Sequence, residues 1–276
     1  MAMEPRQKRG RGRPKSLFHE PQTGTVQALD RGLTLMKELA RSRGLTLTDL
    51  SGRLDMAPSS AHRILSTLQK QGFADLDDIS QEWSVGIEAF RVGSAFLVRT
   101  NLVEASIRQM RRLMEETGET ANLAIADGGD VVFISQVETH NPIRAFYRPG
   151  SRSPMHSSGI GKALLANAPR AEVERLVHRT GLVRHTERTC ATPEALFADL
   201  DEIRRRGWSL DNEERYDGMR CVAATIFNAY GEAVAGISVS GPTVRFPDEA
   251  LDGIGDKVCR AADEVTRLIG GTPPAG

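Results

Sequence analysis

The chain of 276 residues is poor in cysteine, in aromatic residues and in long apolar runs. Its three cysteines, Cys190, Cys221 and Cys259, are too few and too scattered for a disulfide framework or a zinc knuckle. No apolar run approaches the roughly 18 residues that a membrane span needs. The basic N-terminus is not followed by the apolar stretch of a secretory signal. We therefore expect a cytoplasmic protein without a membrane partner.

An excess of one charge is also lacking, because 36 Lys and Arg residues balance 36 Asp and Glu residues. The balance is uneven, since residues 1–15 hold six basic residues and one acidic residue. The sequence RGRP at 11–14 is similar to the core of an AT-hook, whose arginines lie in a narrow minor groove of DNA. The basic arm at 1–24 is thus either a DNA contact through Arg11 and Arg13 or a solvated, disordered tail.

Apolar residues spaced three and four apart predict three helices between Val26 and Gly72. The second begins with a capping-box sequence at 46–49, and the third has Pro58 in its first turn. A short helix, a tight turn and a further helix have the spacing of a helix-turn-helix, although a plain three-helix bundle is an alternative. The polar residues of the third helix that can reach bases and phosphates are Ser59, Ser60, His62, Arg63, Ser66 and Lys70.

Two short strands, 73–75 and 83–85, flank an acidic turn directly after the third helix. Such a hairpin is the wing of a winged helix-turn-helix and disfavours the plain bundle, although its acidic tip is poorly suited to gripping phosphate. We place the winged helix-turn-helix domain at 25–86. The apolar helical stretch at 87–117, with a break near 99–101, is expected to link two domains and to pack against a partner subunit.

The second domain is expected over 118–270, followed by a disordered tail at 271–276. Its predicted strands are 121–126, 131–137, 143–147, 208–210, 221–227 and 234–240, and its predicted helices are 158–168, 170–179, 193–206 and 247–269. An antiparallel sheet with helices packed against it gives an α+β fold, as in small-molecule sensor domains.

A glycine-rich stretch at 157–163 leads into a predicted helix, where several free backbone N–H groups offer a carboxylate site. Tight helix packing is the alternative explanation. A nucleotide-binding loop is excluded, because His156 stands where its first glycine belongs and Ala163 stands where Ser or Thr would bind magnesium.

A second candidate cluster consists of one acid, one thiol, one thioether and two hydroxyls: Asp211, Cys221, Met219, Ser238 and Ser240. Ser238 and Ser240 alternate along one predicted strand, so both face the same side of the sheet. These groups could surround a small polar ligand. Alternatively, Cys221 is an inert core thiol and the serines face solvent.

An enzyme is the main alternative from another functional class, with Cys221 and His156 as nucleophile and base. The chain lacks the G-x-S-x-G elbow of many hydrolases. His156, His178 and His185 have no metal-ligand spacing. An architectural DNA-binding protein that used only its arm would leave the second domain without a role. We therefore predict no catalytic residues, no metal and no cofactor.

Motifs in both domains make the chain resemble the IclR family of transcription regulators. They are VQALDRG at 26–32, SSAHRIL at 59–65, MHSSGIGKA at 155–163 and the run at 207–242. The resemblance implies a regulator of double-stranded promoter DNA, a GAF-like effector-binding domain, and a homotetramer built as a dimer of dimers. Thr225 departs from the family pattern, which usually has proline there.

The same resemblance implies the effector. Gly159, Ile160, Asp211, Cys221, Ser238 and Ser240 fall on positions that bind glyoxylate in members that sense it. Its carboxylate would take the helix-start N–H groups and the serine hydroxyls, and its carbonyl or hydrate would meet the acid and the thiol. Ala145 and Ser153 are small or polar, which favours glyoxylate over larger keto acids such as pyruvate. Glyoxylate-sensing members control the glyoxylate shunt, allantoin use or the β-hydroxyaspartate cycle. The chain resembles the last group, and the pocket residues do not distinguish the three.

Overall fold

The structure is a computed structural model that describes residues 26–273, apart from the side chains of 96–100. The predicted arm, with Arg11 and Arg13, and residues 274–276 lie outside this range. The chain divides into two compact units between Ala95 and Phe96. Within the described residues, no helix is both long enough and apolar enough to cross a membrane.

The first unit contains α1 (Gln27–Ala40), β1 (Leu45–Thr46), α2 (Leu47–Arg53), α3 (Pro58–Lys70), β2 (Ala74–Leu76), β3 (Glu82–Val85) and most of α4 (Ile87–Thr100). The capping box of α2 is confirmed, because the Asp49 N–H donates to Thr46 Oγ1 at 3.2 Å and the Thr46 N–H donates to Asp49 Oδ2. Buried Leu35, Leu50 and Leu65 join the three helices in one core.

The three strands of this unit form a small antiparallel sheet in the order β1-β3-β2. The β2–β3 hairpin is the predicted wing, and Asp77 in its turn accepts the N–H groups of Ile79 and Ser80. Sequence analysis missed β1, because two residues are too short to show an alternating pattern. The winged helix-turn-helix fold is confirmed.

The break that we predicted near 99–101 is confirmed, since α4 ends at Thr100 and α5 spans Leu102–Thr117. Asn101 between them has φ of 49°, a left-handed conformation that asparagine tolerates better than most residues. The stretch from 87 to 117 is therefore two helices rather than one.

The second unit contains a six-stranded antiparallel sheet in the order β6-β5-β4-β9-β8-β7. Its strands are β4 (Thr120–Asp127), β5 (Asp130–Val137), β6 (Arg152–Pro154), β7 (Ser209–Asn212), β8 (Met219–Phe227) and β9 (Ala233–Pro242). Its other helices are α6 (Gly159–Ala166), α7 (Arg170–Thr180), α8 (Pro193–Arg206) and α9 (Leu251–Leu268). The predicted α+β class is confirmed.

Helices cover both faces of this sheet, because adjacent residues on a strand point to opposite sides. Val222 on β8 packs in a core with residues of α5 and α9, whereas neighbouring Ala223 packs in a second core with residues of α6 and α8. The face that carries Ala223 also carries the predicted effector residues.

Two predictions of secondary structure were wrong. Residues 143–147 form no strand, and Ile143 and Phe146 there are 71% and 54% exposed, so their spacing did not mark a buried face. The pairing strand is β6 instead. The last helix begins at Leu251 rather than near 247, because a 3₁₀ turn at Asp248–Ala250 precedes it.

Candidate functional site

The predicted effector residues of the sheet lie in register on neighbouring strands. Asp211 on β7 pairs with Cys221 on β8, and Cys221 pairs with Ser240 on β9. Ser238 lies two residues before Ser240 and therefore faces the same side. The register thus places a carboxyl, a thiol and two hydroxyls together on one face.

Helix α6 approaches this face through glycine. A Cβ atom added at Gly159 would lie 2.8 Å from Cys221 Sγ, and one added at Gly236 would lie 2.6 Å from Ile160 Cγ2. Both distances are shorter than real Cβ contacts. A larger residue at either position would therefore force α6 or the side chains of the sheet to shift. The Ser209 hydroxyl fixes the approach by donating to the Gly159 carbonyl oxygen at 2.6 Å. Tight packing and an anion site are therefore compatible explanations of the glycine-rich stretch.

Backbone donors at the start of α6 face the thiol. Ser158 caps the helix, and its hydroxyl accepts the Gly161 N–H at 3.1 Å. This leaves the first two N–H groups of the helix, at Gly159 and Ile160, for other acceptors, and Cys221 Sγ lies beside Gly159. Burial raises the pKa of the Cys221 thiol to about 11, and the Asp211 carboxylate contributes to the increase. The thiol is therefore protonated at neutral pH.

These residues enclose a cavity of about 10 Å³, which is room for one water molecule. It is lined by Phe133, Tyr147, Ser153, Ser158, Gly159, Ile160, Asp211, Arg215, Cys221, Ser238 and Ser240. Six of the seven predicted effector residues share this cavity. Met219 does not, and instead lines an adjacent groove of about 580 Å³ near the end of β8. Tyr147 and Ser153 line both spaces and so lie between them.

Asp211 is the buried acid of the cavity and is 6% exposed. Its Oδ1 accepts the Glu214 N–H at 2.7 Å. Burial raises the pKa of Asp211 to about 7, with a further contribution from the charge of Glu214, while Lys162 opposes the shift. Near neutral pH, the Asp211 carboxyl can therefore either donate a hydrogen bond to a ligand or accept one.

The two serines of the cavity differ in their hydrogen-bond partners. Ser240 Oγ accepts Asn122 Nδ2 at 3.2 Å, and Asn122 Oδ1 in turn accepts Gln136 Nε2 at 2.9 Å. Ser238 Oγ is buried and forms no hydrogen bond within the described residues, although it lies close enough to the Cys221 thiol to oppose the rise of that thiol's pKa. A buried hydroxyl without a partner costs about 1–3 kcal/mol, so a ligand oxygen that bonds to Ser238 would recover part of this cost.

Sequence analysis missed Arg215 and Tyr147. Arg215 is the one cationic residue in the lining given above, and its Nη1 lies 2.7 Å from His185 Nδ1. Tyr147 stacks on Phe133 with ring centroids 4.3 Å apart. Both residues belong to irregular segments, 213–218 and 138–151, where side-chain direction follows no period. No signal in the sequence pointed to them.

Lys162, in the glycine-rich stretch, is buried behind the cavity. Its Nζ donates to Asp199 Oδ2 at 2.7 Å, to the Leu210 carbonyl oxygen at 2.6 Å and to Glu214 Oε1. Ligand atoms of Cys190, Asp199 and Glu214 lie within 4.8 Å of one another, but the ammonium group of Lys162 already bonds to two of these three residues. The lysine thus ties α6 to α8 and to the β7–β8 connection.

The nucleophile–base pair that we considered is not assembled. His156 does not line the cavity with Cys221. Its Nε2 donates to the Val183 carbonyl oxygen at 3.0 Å, and its ring stacks on His185 with centroids 5.9 Å apart.

The predicted DNA-contacting residues lie on the face of α3 opposite buried Ala61 and Leu65, with Ser60 at the edge of that face. Ser59, His62, Arg63 and Lys70 are exposed, whereas Ser60 and Ser66 are partly buried. Ser60 and Arg63 also line a largely apolar groove of about 770 Å³ between α1 and α3. Within the described part of the chain, neither Arg63 nor Lys70 forms an ion pair, so both charges are available to a polyanion.

Comparison with known proteins identifies the family of the chain and its role. Residues 28–78 match the IclR helix-turn-helix domain, and residues 94–267 match the C-terminal domain of the bacterial transcriptional regulator IclR. The chain is 53% identical to the HTH-type transcriptional regulator BhcR of Paracoccus denitrificans, over 94% of this chain and 92% of that protein. It is 42% identical to the transcriptional repressor IclR of Escherichia coli, over 95% and 96%.

The crystal structure of Thermotoga maritima IclR superposes with a TM-score of 0.75 at 28% identity, covering 89% of this chain and 100% of that one. The matched families and these relatives are regulators of transcription, not enzymes. The chain belongs to the IclR family of bacterial transcriptional regulators and is a DNA-binding regulator.

Proposed function

We propose that this regulator binds glyoxylate in the Gly159 cavity and that binding changes its affinity for its promoter. The observation that carries the proposal is the convergence, in one enclosed space, of helix-start N–H groups with the Asp211 carboxyl and an unsatisfied Ser238 hydroxyl. The resemblance to glyoxylate-sensing members of the family supports the choice of ligand. The controlled genes would then be those of glyoxylate or related two-carbon metabolism, the β-hydroxyaspartate cycle among them.

In the proposed pose, the carboxylate accepts the N–H groups of Gly159 and Ile160 and the hydroxyls of Ser238 and Ser240. The carbonyl or its hydrate faces Asp211 and Cys221. Each charge-assisted hydrogen bond contributes about 1.5–3 kcal/mol net, so three of them can hold a ligand of five heavy atoms. Small Ala145 and polar Ser153 beside the cavity favour this ligand over larger keto acids.

Glyoxylate is larger than the single water that the cavity can hold, so side chains must move when it binds. The movable part of the wall is Tyr147 in segment 138–151 and Arg215 in turn 213–218, because neither segment is a strand or a helix. A ligand that stabilises the opened wall shifts the protein toward that conformation by its difference in affinity. We propose that this shift reaches the DNA-binding unit through residues 87–117.

On the DNA side, we propose that α3 enters the major groove and that Ser59, Ser60, His62, Arg63, Ser66 and Lys70 supply the contacts. The arm with Arg11 and Arg13 would add minor-groove contacts. Arg63→Ala is expected to weaken promoter binding, and removal of residues 1–15 is expected to lower both the affinity and its salt dependence. An unchanged salt slope after removal would exclude the arm from the complex.

We also propose that the protein acts as a dimer of dimers. Exposed apolar side chains support an interface in the DNA-binding unit, because Leu29 on α1 is 61% exposed and Ile87 and Phe90 on α4 are 65% and 69% exposed. Sedimentation equilibrium of the full chain tests the proposal, with a mass near four times 30.2 kDa expected and a monomer contradicting it.

The proposed function is tested by titrating glyoxylate into a gel-shift assay of the full chain on its own promoter DNA. Glyoxylate should raise or lower the affinity of the wild type for the DNA. Asp211→Ala and Ser240→Ala should still bind the DNA, but glyoxylate should change their affinity only weakly. Asp217→Ala, an exposed acid in turn 213–218, and Ser135→Ala on β5, which is outside the cavity lining, are matched controls. No response of the wild type at millimolar glyoxylate, or an equal response of all variants, would refute the assignment.

A further inference from the structure

We propose that Cys221 binds aldehydic acids covalently and reversibly, as a hemithioacetal, so that the cavity selects an aldehyde over a 2-hydroxy acid of the same size. The inference rests on the proposed function and adds a chemical step to it.

The sulfur lies beside the proposed carboxylate position. A Cβ at Gly159 would lie 2.8 Å from Cys221 Sγ, so the sulfur lies beside the first residue of α6. A carboxylate held by the first N–H groups of α6 therefore has its neighbouring carbon next to the thiol. In an aldehydic acid, this neighbouring carbon is the electrophilic one.

A second and independent observation points to a ligand at the same place. Ser238 Oγ is buried, with the residue only 1% exposed, and it lines the cavity without a hydrogen-bond partner in the described residues. Addition of a thiol to an aldehyde produces a hydroxyl group at the attacked carbon, and such a group both donates and accepts. Asp211, which pairs with Cys221, and Ser238, which lies diagonally across from Cys221 on β9, are placed to bond to it.

Asp211 completes the proton balance. Burial keeps the Cys221 thiol protonated, so the carboxylate of Asp211 takes the thiol proton as the Sγ–C bond forms. The electron pair of the C=O π bond moves to oxygen, which receives the proton from the Asp211 carboxyl. The sum is addition of S–H across C=O, with no oxidant, no reductant and no leaving group. A hydrated aldehyde first releases its water.

The other two cysteines provide internal controls. Cys190 lies with Asp199 and Glu214 next to Lys162, and Cys259 Sγ bonds to the Gly207 carbonyl oxygen from α9. Neither lines the cavity.

The test is carbon-13 NMR of full-length protein with glyoxylate labelled at the aldehyde carbon. Wild type, Cys190→Ser and Cys259→Ser should each show a bound signal from a carbon bonded to one oxygen and one sulfur, and Cys221→Ala should lack it. Calorimetry of the same proteins should show glyoxylate affinity falling at least about tenfold in Cys221→Ala. Affinity for glycolate, which cannot add a thiol, should change by less than about twofold.

A wild-type spectrum that contains only the bound hydrate or the bound free aldehyde would overturn the covalent inference and leave the proposed function standing. An adduct that persists in Cys221→Ala, or equal losses of glyoxylate and glycolate affinity, would overturn it as well. If neither acid binds the wild type, the proposed function and this inference both fail.

Discussion

Replacing Asp211 by asparagine is expected to stabilise the second unit at alkaline pH. Burial raises the pKa of Asp211 to about 7 in the folded protein, against 3.8 for an unperturbed aspartate. Stability is therefore lost as the pH rises from about 4 to about 7, because the unfolded state ionises over that interval and the folded state does not. A difference of about three pKa units corresponds to at most about 4 kcal/mol. Asparagine removes this penalty and can still accept the Glu214 N–H.

The assay is urea unfolding followed by tryptophan fluorescence in a Trp83→Phe background, so that the signal comes from Trp208 in the core of the second unit. Asp211→Asn should match its parent near pH 4 and exceed its stability by up to about 4 kcal/mol at pH 8.5. Asp217→Asn, an exposed acid on the neighbouring turn, should follow the parent at every pH. A stability difference between Asp211→Asn and the parent that does not change with pH would refute the reasoning.

Three further predictions concern the same unit. Gly159→Ala places a Cβ where only glycine fits, so calorimetry should show weaker glyoxylate binding and urea melts a loss of about 1–3 kcal/mol; unchanged binding would contradict the pose. Lys162→Met leaves Glu214 buried without its cation and should cost about 3–5 kcal/mol in urea melts, whereas an unchanged stability would contradict the role given to Lys162. Glyoxylate affinity should fall as pH rises through about 7, because an ionised Asp211 repels the ligand; a flat calorimetric profile from pH 6 to 8.5 would contradict this.

Local signals in the sequence were sufficient for most of the fold. The capping box at Thr46 and Asp49 and the apolar period of α3 depend on neighbours in the chain, and the structure confirms both. The segment 143–147 shows where such signals fail. Its apolar residues were interpreted as a strand, but Ile143 and Phe146 are exposed and the segment joins no sheet.

The candidate site was predictable where strands and a helix start define it. Alternation along one strand predicted that Ser238 and Ser240 share a face. The family resemblance, and not any spacing in the sequence, predicted that Asp211 and Cys221 join them, which the strand register now shows. Arg215 and Tyr147 were not predictable, because their positions depend on how irregular segments fold over the sheet. Met219 lies outside the cavity because it is the first residue of β8, where the adjacent groove begins.

The most direct test of glyoxylate recognition by the Gly159 cavity is isothermal titration calorimetry of glyoxylate with the full chain and with Ser238→Ala. Removing the unsatisfied hydroxyl deletes one hydrogen bond to the ligand, which is worth about 1.5–3 kcal/mol, or roughly 10-fold to 150-fold in affinity. The wild type should bind one glyoxylate per chain, and the variant should bind more weakly by that factor. An absence of binding by the wild type, or equal affinity of the two proteins, would contradict the assignment of the cavity.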